Sequence, residues 1–65
     1  MFKKSEIHLF VKSNFFYRNF EDLQDIFKAN GVKLAWIDNG SRCELIYKAT
    51  RRQEAFVQGA MAFMN

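Results

Sequence analysis

The stretch VKLAWIDNGSRCELIYK, residues 32–48, constrains the fold more than any other part of the chain. Asn39-Gly40 is a strong hairpin signal, because a two-residue type I′ loop needs positive φ at both central positions. Such a loop sets Asp38 opposite Ser41. It then pairs Trp36 with Cys43, Leu34 with Leu45 and Val32 with Tyr47. All six lie on one face, as period-two alternation requires, and a slip of one residue breaks that agreement. The opposite face carries Lys33, Ala35, Ile37, Arg42, Glu44, Ile46 and Lys48.

A first strand is read in EIHLFVK, residues 6–12, with Ile7, Leu9 and Val11 on one face and His8, Phe10 and Lys12 on the other. Between this strand and the hairpin, Phe20, Leu23, Ile26 and Phe27 recur at helical spacing. Asn19 suits the N-cap, and Glu21 and Asp22 suit the positive end of the helix dipole. Gly31 supplies a left-handed residue past the C-terminus, with Val32 as the hydrophobic contact behind it. Phe16 lies on the same stripe, so a start nearer Asn14 stays open. The last element begins with Thr50 and Gln53 at capping-box spacing. Its stripe is Phe56, Ala60, Phe63 and Met64, widened by Val57 and Met61. Gly59 costs this helix about 1 kcal/mol relative to alanine and would let it lie close to another element.

The order is therefore β-α-β-β-α. A right-handed crossover makes strands one and two parallel, and the hairpin makes strand three antiparallel to strand two. The expected fold is a two-layer α+β domain. Its three-stranded sheet has order 1-3-2, with two helices on one face. It resembles a ferredoxin-like β-α-β-β-α-β unit lacking the last strand. That strand would have lain beside strand one, so the edge of strand one is expected to be open.

At 65 residues the chain is read as a single domain, residues 1–65, with a small core. Its 17% aromatic content enlarges that core, and self-association is a second route to the same end. Cys43 is the only cysteine, which excludes an internal disulfide and a cysteine-based zinc site and fits a reducing compartment. Glu6 and His8 interrupt any signal-peptide core behind MFKK, and the apolar stretch AFVQGAMAFMN is too short for a membrane span. These features point to a cytoplasmic protein with no membrane partner.

The aromatic run of residues 8–20 divides by position. Phe20 and Phe16 belong to the helix–sheet core by their spacing. Phe15 and Tyr17 can either cover the end of the sheet or meet a partner. Phe10 points away from the helices. It joins Ile37 and Ile46 as the apolar centre of the open sheet face, ringed by Lys12, Lys33, Arg42 and Lys48. An apolar patch rimmed by cations marks a contact surface, and these seven residues are the candidate partner-binding set. Arg51 and Arg52 at the start of the last helix form a possible anion contact.

The segment Leu9-Phe10-Val11-Lys12-Ser13-Asn14 resembles the strand-one signature of RNA-recognition motifs, with Phe10 at the position of the base-stacking aromatic. The likeness covers these six residues only. The strand-three signature and the fourth strand are absent, so the family is not assigned.

His8 and Cys43 fall on opposite faces and do not make a nucleophile–base pair. Asp38 and Glu44 are not an acid/base pair, no glycine-rich phosphate loop is present, and no cofactor is implied. The sequence therefore points to a non-enzymatic protein-interaction module, a regulator, inhibitor or adaptor. It would act through the open face or the strand-one edge, with a homodimer as one form it can take. The alternative is a nucleic-acid-binding module using Phe10 and the surrounding cations. Net charge is +3, which permits an anionic partner without requiring one.

Overall fold

The computed structural model describes residues 3–64. The elements are β1 (Ser5–Lys12), α1 (Ser13–Arg18), α2 (Phe20–Ala29), β2 (Ala35–Asp38), β3 (Arg42–Ala49) and α3 (Arg51–Met61). The sheet has order β1-β3-β2, with β3 antiparallel to both neighbours. The α+β architecture expected from the sequence is the one observed.

The core forms between one sheet face and the helices. Cys43, Leu45, Tyr47 and Ala49 alternate inward along β3 and meet Phe16, Leu23, Phe27 and Val57 from the helices, with Val32 from the loop before β2. Ile7, Leu9 and Val11 of β1 face the same way, but they sit at the sheet's edge and are only half-buried.

The hairpin differs from the expected type I′ loop. Gly40 has φ +100°, but Asn39 does not take positive φ. The Asn39 amide bonds the Arg42 carbonyl at 2.9 Å, and the Asp38 carboxylate accepts the Gly40 amide at 2.8 Å. Asp38 thus stabilises a longer turn through its side chain, a competing chemistry that Asp and Asn offer at such positions. The ladder is accordingly shifted by two residues. Trp36 pairs with Leu45 rather than Cys43, Asp38 pairs with Cys43, and Val32 and Leu34 lie outside the β2 strand. A shift of two preserves the alternation, so every inward and outward assignment survives it.

The first helical segment is broken rather than continuous. Asn19 ends α1 with φ −107° and ψ 19°, and its side chain does not cap α2. Its amide group instead donates back to the Phe15 carbonyl at 3.0 Å. Both candidate starts thus correspond to real helix, one on each side of Asn19. Phe16 is fully buried. It packs at about 5 Å centroid separation against Phe20 and Trp36, while Phe20 also stacks edge-on to Trp36.

Helix α2 closes as expected. Gly31 takes φ +71°, its amide bonds the Lys28 carbonyl at 3.0 Å, and the Val32 amide bonds the Phe27 carbonyl at 2.9 Å. This is a Schellman motif, and buried Val32 supplies its apolar contact. The capping box of α3 is also present. The Gln53 amide donates to Thr50 Oγ1 at 3.1 Å, and the Thr50 amide donates to Gln53 Oε1 at 2.9 Å. Gln53 Nε2 then reaches the Asn30 carbonyl at 2.9 Å and ties the start of α3 to the end of α2.

The inward stripe of α3 is Val57 with Met61, continued past the helix end by Met64, while Phe56 on the helix and Phe63 beyond it are exposed. The helix is therefore rotated by about one residue, roughly 100°, from the stripe built on Phe56 and Phe63. A Cβ at Gly59 would meet nothing within 4 Å, so that glycine does not mark a close helix approach.

Candidate interaction surface

The strand register arranges the outer sheet face in rows. Phe10, Glu44 and Ile37 form one row across β1, β3 and β2; His8, Ile46 and Ala35 form the next. Lys12 pairs with Arg42 at one end, and Glu6 pairs with Lys48 at the other. Ile46 is thus diagonal to both Phe10 and Ile37, within reach of large side chains on the same face. Phe10 is 53% exposed and Ile37 50%, with Ile46 half-buried between them. These three candidate residues do form one patch.

The cations gather at its two ends. A shallow groove at one end is lined by Lys12, Ser13, Asn14, Gly40, Ser41 and Arg42. The other end holds Lys48 beside Lys4, with Lys33 joining them from the loop before β2 rather than from the strand.

Two acids, Glu6 and Glu44, lie on this face and change its electrostatics. His8 Nε2 is 2.8 Å from Glu6 Oε2 and His8 Nδ1 is 2.8 Å from Glu44 Oε2. A neutral imidazole has one N–H and can satisfy only one carboxylate; the imidazolium satisfies both. The hydrogen bonds to Glu6 and then Glu44 therefore hold the His8 pKa above its ordinary 6.5. The same bond to His8, with its charge, lowers the Glu6 pKa from 4.5. This clamp was legible only in part. Residues i and i+2 on a strand share a face, which brings Glu6 to His8, but the Glu44 partner needs the cross-strand register.

A second network anchors the Lys12–Arg42 end. Asp38 accepts from the Tyr17 hydroxyl at 2.8 Å, from Ser13 Oγ at 3.2 Å and from the Gly40 amide. The Gly40 amide bond first, then the Tyr17 and Ser13 bonds, lower the Asp38 pKa. The Asp38 bond in turn raises that of Tyr17. The Ser13 amide also bonds the Ser41 carbonyl at 3.0 Å. Tyr17, half exposed, thus latches the hairpin loop to α1, and Phe15 is half-buried.

Cys43 is fully buried on the helix side, its thiol 3.6 Å from Ser13 Oγ, and His8 is on the opposite face. Arg51 and Arg52 are exposed at the start of α3, where Arg52 lies 5.9 Å over the Phe56 ring and Thr50 already caps the helix. Among the described residues no cluster of His, Cys, Asp and Glu could hold a metal ion, and no helix is long and apolar enough to cross a membrane. No protein-family model matches the chain, and no curated protein matches it either.

Proposed function

We propose that the protein is a non-enzymatic interaction module. It docks a protein partner on the open sheet face through Phe10, Ile37 and Ile46. The observation that supports this reading is the pair of half-exposed side chains Phe10 and Ile37 flanking Ile46, on a face that no element among the described residues covers. An antiparallel sheet that only meets water is ordinarily polar on that face. The cations at both ends favour a partner surface with an apolar centre and acidic flanks, since like charges oppose the wrong approach and opposite ones fix the register.

The test is capture from native lysate with the wild-type chain, Ile37→Glu, Phe10→Ala and the remote surface variant Phe63→Ser. A species retained by wild type and Phe63→Ser, and lost in the two face variants, supports the reading. Equal retention by all four refutes it. Titration with single-stranded oligonucleotides at two salt concentrations serves as the opposing outcome. Micromolar affinity with a steep salt slope, lost in Phe10→Ala and Lys12→Glu, would make nucleic acid the partner instead. Glu44 in the middle of the patch and Glu6 at its end weigh against that outcome.

A further inference from the structure

The edge of β1 is a second surface, independent of the sheet-face reading. Its outer side pairs with no strand among the described residues. On the helix side it leaves Ile7, Leu9 and Val11 half-buried, whereas their β3 neighbours Tyr47, Leu45 and Cys43 are closed off. These three side chains form an apolar row with a partner on one flank only. An eight-residue edge of this kind is a template for strand addition.

We propose that two copies of the chain pair antiparallel through their β1 edges, about a two-fold axis at Leu9. The symmetry narrows the register. To keep both helix layers on one side of a joint sheet, each residue must face one of its own parity, so the axis passes through a single residue. With His8 on the axis, Lys12 meets Lys4 of the second copy and Phe10 meets Glu6. With Phe10 on the axis, Lys12 meets His8, held towards its cationic form by Glu6 and Glu44. With Leu9 on the axis, Lys12 meets Glu6 twice over, Phe10 stacks beside His8, Val11 meets Ile7 and Leu9 meets Leu9. Lys12–Glu6 is then an opposite-charge pair, Val11–Ile7 and Leu9–Leu9 are apolar pairs, and Phe10–His8 is an aromatic pair. Glu6 uses Oε2 for His8, leaving Oε1 for Lys12 of the second copy. The β2 edge is a poorer template, with four residues in the strand. The joint sheet has six strands, and the two open faces become one continuous surface.

Sedimentation equilibrium over a wide concentration range tests this with the full chain. The expected mass rises from 7.7 kDa towards twice that value. Lys12→Glu and Glu6→Lys should each weaken the dimer about tenfold, because the two-fold repeats every broken pair. The double exchange Glu6→Lys/Lys12→Glu should restore it. Ile37→Glu, on the far strand, should leave it unchanged. All of these positions are exposed, and far-UV circular dichroism confirms that each variant is folded. A monomer at every concentration overturns the proposal. So does a dimer broken by Ile37→Glu, or a double exchange as weak as the single variants. A monomer at every concentration leaves the sheet-face reading untouched, whereas a dimer broken by Ile37→Glu would put the second copy on that face instead of the β1 edge.

Discussion

Replacing Phe16 by alanine tests the packing logic of the whole domain. Phe16 has no exposed surface, and its ring lies between Tyr17, Phe20 and Trp36. Truncating a buried phenylalanine costs about 3–5 kcal/mol, and three ring neighbours place this site at the upper end. A chain of 65 residues is stable by only about 3–10 kcal/mol, at ~0.05–0.15 kcal/mol per residue. Phe16→Ala therefore removes most of the stability, and each kcal/mol lost lowers Tm by about 4–8 °C in a domain of this size. Phe10→Ala removes a ring of the same size from the open face and should change stability by no more than about 0.5 kcal/mol. Urea denaturation followed by fluorescence suits the comparison, since Trp36 is the only tryptophan and touches Phe16 directly. Phe16→Leu supplies an intermediate variant should the alanine variant be unfolded in water. Stabilities of Phe16→Ala and Phe10→Ala within 1 kcal/mol of each other would refute the division of the aromatic run into core and surface.

The His8 clamp carries a pH dependence of determined sign. Its folded pKa lies above 6.5, so its contribution is complete below that value and fades as pH rises through the folded pKa; the Glu6 contribution is present above 4.5 and fades below it. The clamp is therefore strongest between these values. As His8 is the only histidine, its ring protons titrate unassigned in a proton spectrum. Glu44→Gln should bring the midpoint down, and a midpoint at or below 6.5 in the wild type would contradict the geometry. Tyr47 presents a buried hydroxyl that makes no well-formed hydrogen bond among the described residues, with the Gln58 side chain acting on it. Tyr47→Phe should leave stability unchanged or raise it by up to about 1 kcal/mol in a denaturation curve, whereas a loss beyond 1 kcal/mol would reveal a partner for that oxygen.

Local chemistry decided much of this molecule. Period-two alternation assigned inside and outside along all three strands, because a pleated backbone sends successive side chains to opposite faces whatever they meet. Gly31 and the Thr50–Gln53 box were readable as helix ends because their hydrogen bonds close within a few residues. The strand order followed from the split β-α-β arrangement, which sets strand three between the two parallel strands.

Tertiary structure decided the rest. Asn39-Gly40 announced a turn, but the loop length was set by Asp38, held by Ser13 and Tyr17 of α1, and no pattern within the hairpin encodes that contact. The rotation of α3 was settled by packing, since adjacent Phe56 and Val57 both offer apolar surface and only the sheet beneath selects Val57. The candidate patch was legible because it needs only strand parity. Of the Glu6–His8–Glu44 clamp only the Glu6 side was, because the Glu44 partner needs the residue-by-residue pairing of two strands far apart in the chain.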